Sequence, residues 1–196
     1  MKTLSQEQIA LIKKPLPKEA VMPHPTKQNL STIKAIYVTE RFNEVFGIGG
    51  WTIKTDLIDN PLALVKNIKI TKAGAERTEY TALMKTKFEV AEYGIYYECV
   101  ASSVNDDIGD ASKGAATDAI TKIASYIGIG IDVFKGQHDK ALTEYSNNLF
   151  TDDIKSSIDK CKTKEEVIAL SKKMSDDVKS NKEFRLYVTK KLESCK

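Results

Sequence analysis

Apolar residues recur at helical spacing through one stretch of the chain that is bounded by two glycines. They fall every three or four positions between Asp110 and Ile127, which predicts an amphipathic helix with this buried face: Ala111, Ala115, Ala119, Ile120, Ile123, Ala124 and Ile127. Gly109 and Asp110 suit the start of the helix, and Gly128 suits its end, where a left-handed residue closes the last turn. A glycine inside a helix costs about 1 kcal/mol relative to alanine, so Gly114 predicts a close approach to a sheet.

The polar positions of this helix are predicted to face outward. They are Lys113, Thr117, Thr121 and Lys122. Considered alone, the pattern is that of an amphipathic helix on a sheet with two solvated lysines. It does not by itself indicate a functional site.

A second helical pattern comes earlier in the chain, from Asn29 to Phe46. Asn29 or Ser31 can cap it, and its apolar face is formed by Ile33, Ile36, Tyr37, Phe42, Val45 and Phe46. A glycine-rich turn from Gly47 to Gly50 follows, and its G-x-x-G spacing resembles the loop of KH domains. That loop joins two helices, whereas a strand pattern follows here, so the KH interpretation is rejected.

Alternating apolar and polar residues after this turn predict four strands. Their ranges are Trp51–Ile58, Leu62–Lys72, Ala82–Val90 and Ile95–Ser103, with turns at Gly74 and Gly94. The predicted fold class is α+β. An antiparallel β-meander of three or four strands is packed by the long helix and the N-terminal helix, with one sheet face covered.

The two ends of the chain have a different character. A short helix is predicted from Gln6 to Lys13, and extended backbone is then favoured by Pro15, Pro17, Pro23 and Pro25. Beyond Gly136 a short helix is predicted from Lys140 to Asn148, and three more follow, with Thr151 and Thr163 as caps. The predicted domains are an extended arm (1–28), an α+β core domain (29–148) and a small helical C-terminal module (149–196).

Composition narrows the classes of function. A chain of 196 residues with 41% hydrophobic residues is long enough for one main core and a small appendage. No apolar run approaches the roughly 20 residues of a membrane helix, and the first residues are too polar for a secretory signal. Three cysteines at no metal-ligand spacing are typical of a reducing, cytoplasmic setting. A net charge of +3 means that a nucleic-acid partner needs a local basic stripe.

The sequence lacks the motifs of common enzymes. It has no G-x-x-x-x-G-K-[ST] loop for ATP, and its two histidines, His24 and His138, lie far apart. Asp106, Asp107 and Asp110 are candidate metal ligands, but a helix cap and a solvated turn account for them better, because no further carboxylate completes a site. The sequence therefore predicts a binding protein with no catalytic residue, cofactor or metal.

Three segments together resemble the single-strand annealing recombinases of the Rad52 superfamily, in particular their phage and bacterial members. They are YVTERFNEVFGIGGW (Tyr37–Trp51), the strands that end in ECVASS, and GDASKGAATDAITKIASYIGIGIDVFKG, within residues 30–136. The resemblance implies an ATP-independent protein that assembles into homo-oligomeric rings or helical filaments. Such assemblies hold single-stranded DNA in a basic groove and pair it with its complement.

The resemblance also places that groove between the meander and the helix that carries T-D. Lys122 stands where the family has a phosphate-binding basic residue, and Lys113 matches a basic residue one turn before the T-D. Lys34 is a replacement for a basic residue near the first helix. For each single lysine, a solvated surface position is the alternative to a phosphate contact.

Several positions depart from the eukaryotic pattern of the family. Thr121 and Ser125 stand where that branch has basic residues, Tyr37 stands in place of an arginine, and Ile48 in place of a tyrosine. Lysines on the polar faces of the strands are expected to compensate. The candidate DNA-binding residues are therefore Lys34, Lys54, Lys85, Lys87, Lys113, Thr121 and Lys122.

The module from Thr151 onward resembles the C-terminal helical bundles of phage recombinases, which recruit an exonuclease or the host single-strand-binding protein; the alternative is a packing element. The predicted function is ATP-independent binding and annealing of single-stranded DNA in recombination and repair, by a protein encoded by a phage or mobile element. The alternative is a non-catalytic replication or repair accessory protein with the same fold. A nuclease built on the three aspartates is a third hypothesis.

Overall fold

The sheet of the protein is built around one long strand. In the computed structural model, β5 (Glu76–Val90) pairs along one edge with β6 (Ile95–Asn105). Along its other edge lie β3 (Thr52–Leu57) and β4 (Leu64–Ile70). All of these pairs are antiparallel, so the α+β fold class predicted from the sequence is confirmed.

The two shorter strands lie end to end. Leu57 is opposite Met84 and Leu64 is opposite Ala82, so residues 58–63 form an insertion between β3 and β4. The predicted meander is thus a three-stranded sheet in which the first strand is interrupted.

The structure describes residues 1–24 and 30–195, and the chain forms two compact units. The first unit, Met1–Gln137, contains the sheet, and the second unit begins at His138. Short 3₁₀ helices in the first unit span Lys18–Ala20 and Ala91–Tyr93.

The long helix predicted from the sequence is present as α3 (Ile108–Ile127). It begins earlier than predicted, because the side chain of Asp107 accepts a hydrogen bond from the amide of Asp110 and is the N-cap. The predicted start at Gly109 is therefore wrong. Gly128 ends the helix in the left-handed conformation with φ of 116°, as predicted.

The predicted close approach of the helix to the sheet occurs at Gly114. A Cβ atom at this position would lie 2.5 Å from Oγ and 3.0 Å from Cβ of Ser103 on β6. Ala111 and Ala115, one turn apart on the same face of α3, are fully buried. Small residues on the helix therefore let α3 lie directly on β6.

An aromatic cluster fills the core between the sheet and α2 (Ala35–Phe46). Phe42 and Phe88 are fully buried, and their ring centroids are 4.6 Å apart. The Trp51 ring stacks at 5.8 Å from Phe88, and its indole N–H donates a hydrogen bond to the Asn43 side chain. The buried position predicted for Phe42 and Phe46 on the apolar face of the helix is confirmed.

A buried arginine fastens α1 (Gln6–Lys13) to α2. The guanidinium of Arg41 donates hydrogen bonds of 2.6 Å to the carbonyls of Leu11 and Lys14, and it pairs with Glu44 at 2.8 Å. Hydrogen bonds from charged donors contribute roughly 1.5–3 kcal/mol each, which holds the N-terminal segment on the core. Its buried apolar residues are Ile12, Leu16 and Ala20.

The predicted start of the second helix is wrong. That helix begins at Ala35, and the predicted cap Ser31 opens a strand, β2 (Ser31–Ile33), which pairs with β1 (Val21–Pro23). Pairing with β1 satisfies the backbone of β2 in the extended form, so the helix cannot extend over it. Asn29, the other predicted cap, lies outside the described residues.

The second unit is entirely helical in the residues that the structure describes. Thr151 and Thr163 cap two of its helices as predicted, the second through a capping box. Its small core contains Phe150, Ile158, Val178 and Phe184. The helices are α5 (His138–Leu149), α6 (Asp152–Lys160), α7 (Lys164–Lys173), α8 (Asp176–Ser180) and α9 (Lys182–Ser194).

A search of the helices over residues 1–24 and 30–195 finds none with the length and apolar character that a membrane crossing requires.

Candidate nucleic-acid interface

The candidate residues fall on two opposite faces of the sheet. Along β5, Thr86 and Phe88 are buried on the face that α3 covers, and Lys85 and Lys87 alternate with them onto the open face. The register places Lys54 of β3 opposite Lys87, on the same open face. The remaining candidates belong to the helix-covered side: Lys34, Lys113, Thr121 and Lys122.

Carboxylates pair with the lysines of the open face. The ammonium groups of Lys85 and Lys87 lie 2.8 Å and 3.5 Å from the carboxylate of Glu98, and that of Lys54 lies 3.3 Å from Asp56. Exposed ion pairs of this kind contribute only about 0–1 kcal/mol, so the lysines are not locked in place. The carboxylates nevertheless remain beside them and repel phosphate.

The most strongly perturbed carboxyl group of this face is Glu98. A hydrogen bond from the Lys85 ammonium and a second from the Tyr96 hydroxyl lower the pKa of Glu98 from 4.5 to about 2. Glu98 is therefore ionised at any pH at which DNA binding would be measured. The open face carries its positive charges together with negative ones.

A cleft of about 320 Å³ opens on the helix-covered side of the sheet, between α3 and the small sheet of β1 and β2. Phe134 of α4 (Ile131–Phe134), the short helix after α3, also lines it. The other lining residues are His24, Ser31, Thr32, Ile33, Gly114, Thr117, Asp118 and Thr121.

Thr121 lies in the wall of this cleft. Its side chain is only 5% exposed, and its hydroxyl donates a hydrogen bond of 3.0 Å to the carbonyl of Asp118. The prediction that Thr121 faces outward is therefore wrong. The reason is that β2, which was not predicted, forms the opposite wall of the cleft.

Two candidate lysines form no ion pair with any carboxylate that the structure describes: Lys122 and Lys34. Lys122 follows the cleft residue Thr121, and its Nζ atom lies 4.7 Å from the ring centroid of Phe134. Lys34 is exposed at the N-cap position of α2, directly after the cleft residue Ile33. One lysine without a carboxylate partner thus adjoins each wall of the cleft.

Lys113 is exposed on α3, next to the cleft residue Gly114. Its ammonium group pairs with the carboxylate of Asp110 at 2.6 Å, one turn earlier in the helix, and the hydrogen bond of this pair raises the pKa of Lys113. A phosphate at Lys113 therefore has to compete with Asp110.

Residues 5–151 match the model of a family described as the Rad52/22 family of double-strand break repair proteins. The matched range contains the sheet, α3 and every residue that lines the cleft. The chain belongs to this family. No curated protein compared with it matches the chain.

Membership of the Rad52/22 family confirms the superfamily predicted from the sequence. It implies a role in DNA recombination and repair, with DNA binding, strand annealing and self-association as general properties of the family. Most of the second unit, from Asp152 onward, lies outside the match.

The three aspartates considered as metal ligands have other partners in this Rad52/22-family protein. Asp107 caps α3, Asp106 pairs with Arg77 at 3.2 Å, and Asp110 pairs with Lys113. Over residues 1–24 and 30–195, no group of three or more His, Cys, Asp or Glu residues is arranged to hold a metal ion.

Sequence reasoning missed the contributions of β2 and α4 to the cleft. Ser31 and Thr32 were assigned to a helix, because the partner strand of β2 lies among prolines that argue against regular structure. Phe134 stands in an apolar segment after two glycines, Gly128 and Gly130. Only the fold shows that its ring is left partly exposed at the cleft.

Proposed function

We propose that this protein binds single-stranded DNA along the helix-covered side of the sheet and anneals complementary strands without ATP. It acts as a non-enzymatic recombination protein of a phage or mobile element, in the cytoplasm of the host. The family supplies the general activity, and the absence of a P-loop motif in the sequence supports independence of ATP.

The observation that carries the proposal is the pair of lysines beside the cleft. Lys122 and Lys34 each directly follow a residue that lines the cleft, Thr121 on α3 and Ile33 on β2, and no described carboxylate pairs with either lysine. Lysines that neutralise phosphates release condensed counterions, which is the main source of affinity in binding that ignores sequence. The sheet lysines Lys54, Lys85 and Lys87 give the weaker contribution, because carboxylates share their face.

Self-association into a ring or helical filament is the second part of the proposal. Among the described strands, β6 pairs only with β5, so its other edge is open to a strand of a second copy. Ile68 and Ile70 of the β4–β5 hairpin are 64% and 75% exposed. An interface between two different surfaces of the same chain generates rings or filaments.

We also propose that the second unit recruits a partner protein, an exonuclease or the host single-strand-binding protein. An apolar groove of about 310 Å³ lies on this unit, with Lys172 and Lys179 among its lining residues; Lys179 also pairs with Asp176 at 3.2 Å. Its floor includes Ile168, Phe184 and Val188. This chemistry suits a peptide with an apolar anchor and acidic flanks. Equal binding of such a peptide by wild type and by the Lys172→Glu, Lys179→Glu double variant would refute the assignment.

Particle mass measured with and without an oligo-dT strand, over a series of salt concentrations, tests the proposed function. We expect particles several times heavier than one chain of 21.8 kDa, and DNA binding that weakens steadily as salt rises. On a double-logarithmic plot the slope should be about −0.7 for each phosphate contact. A monomer that ignores the oligonucleotide, or binding that is insensitive to salt, would contradict the proposal.

A further inference from the structure

An exposed aromatic ring lies at the cleft, in contact with one of its two lysines without a carboxylate partner. Phe134 is 46% exposed although its side chain is large and apolar. The Nζ atom of Lys122 lies 4.7 Å from the Phe134 ring centroid and 5.9 Å from that of Tyr126, which is 48% exposed. Phe42 and Phe88 of the core are by contrast fully buried. Two accessible rings therefore surround one ammonium group beside a concave site.

Packing within the subunit does not account for this arrangement. A cation–π contact at an exposed site is a weak interaction, and a large ring left 46% exposed gives up nearly half of the stabilisation that full burial would provide. A planar ligand that covers the Phe134 ring would gain that stabilisation. Stacking of bases on aromatic side chains is how proteins commonly hold single strands.

The polar groups of the cleft favour a base over a phosphate as the occupant. The described residues that line it include the carboxylate of Asp118, the imidazole of His24 and the hydroxyl groups of Ser31, Thr32 and Thr117, but no lysine or arginine. The carboxylate would repel a phosphate inside the cleft, but it does not oppose a neutral base. A phosphate is better placed outside, at Lys122.

We propose that Phe134 stacks against a base of the bound strand while Lys122 contacts the adjoining phosphate. Each subunit then holds one nucleotide by its base as well as by its backbone. Because every base has an aromatic face, such a contact adds affinity without sequence preference. This inference rests on the proposed binding of single-stranded DNA and adds a base contact to it.

The first test compares Phe134→Ala with Lys122→Gln in binding an oligo-dT strand and an abasic strand with the same number of phosphates. Phe134→Ala should weaken binding of oligo-dT at least about fivefold, with an unchanged salt slope and no effect on the abasic strand. Lys122→Gln should weaken binding of both strands and flatten the salt slope. Leu186→Ala, at an apolar residue 56% exposed on α9, is the matched control and should bind like wild type.

The second test uses Phe134→Trp, which keeps a ring in place and so remains informative if the alanine variant folds poorly. Oligo-dT should quench its added fluorescence, while the abasic strand should not. The wild-type signal from Trp51, whose ring packs in the core, gives the background.

Two results would overturn the base contact: Phe134→Ala binding oligo-dT as tightly as wild type, or equal quenching of the tryptophan variant by both strands. Either result, together with salt-dependent binding by wild type, leaves the proposed function intact. Failure of the wild-type protein to bind any single strand would instead refute the proposed function itself.

Discussion

Replacement of Lys122 with glutamate is expected to weaken binding of single-stranded DNA at least about tenfold near 0.1 M salt, and to slow annealing with it. The substitution changes the charge beside the cleft by two units at a lysine with which no described carboxylate forms an ion pair. Repetition of the site in an oligomer multiplies the loss. Titration of a labelled oligonucleotide, followed by fluorescence anisotropy, measures it.

The matched control for Lys122→Glu is Lys190→Glu. Lys190 is exposed on α9 of the second unit and is not among the lining residues of the cleft, so the variant has the same change in net charge at a residue outside the site. Lys122→Glu should retain the wild-type circular dichroism spectrum, because the side chain is only half-buried and its ammonium group lies over two partly exposed rings, Phe134 and Tyr126. Equal DNA affinity of the two variants would remove Lys122 from the interface.

Replacement of Phe88 with alanine is expected to lower the free energy of unfolding of the first unit by about 3–5 kcal/mol. The Phe88 ring is fully buried and lies 4.6 Å from Phe42 and 5.8 Å from Trp51, measured between ring centroids. Its removal leaves a cavity at the point where β5 meets α2. Denaturant unfolding, followed by the fluorescence of the single tryptophan, reports directly on this cluster.

Two controls calibrate the loss in Phe88→Ala. Phe88→Leu keeps most of the volume and should cost about 1.5 kcal/mol or less. Leu57→Ala, at an exposed position of the same sheet, should change the free energy of unfolding by no more than about 0.5 kcal/mol. A loss in Phe88→Ala no greater than that in Leu57→Ala would contradict the role given to the cluster.

Local sequence signals predicted most of the elements of the fold. The spacing of small and branched residues identified α3, and Gly128 marked its end, because helix caps and faces are local properties. The start of α2 was predicted wrongly because β2 exists only through its pairing with β1, across intervening residues. The break between β3 and β4 was predicted, but their shared edge was not, because only the pairing with β5 shows that the two strands lie end to end.

The candidate site was predicted less completely than the fold. Periodicity correctly placed Lys85 and Lys87 on one polar face, but the position of Glu98 between them depends on the register of β5 and β6. Thr121 was expected to be exposed because a helical wheel does not show what packs on each side. The cleft combines residues from β2, α3 and α4, and no single stretch of sequence carries that combination.

The most direct test of the account is the rate at which two complementary oligonucleotides pair in the presence of the protein, with ATP omitted. Donor and acceptor dyes on the two strands report pairing, and a pair of unrelated strands is the control. We expect the wild-type protein to accelerate pairing of the complementary strands well above the protein-free rate, and Lys122→Glu to lose most of that acceleration. The account would be contradicted if the protein bound the oligonucleotides but they paired no faster than without it. That result would favour the accessory role.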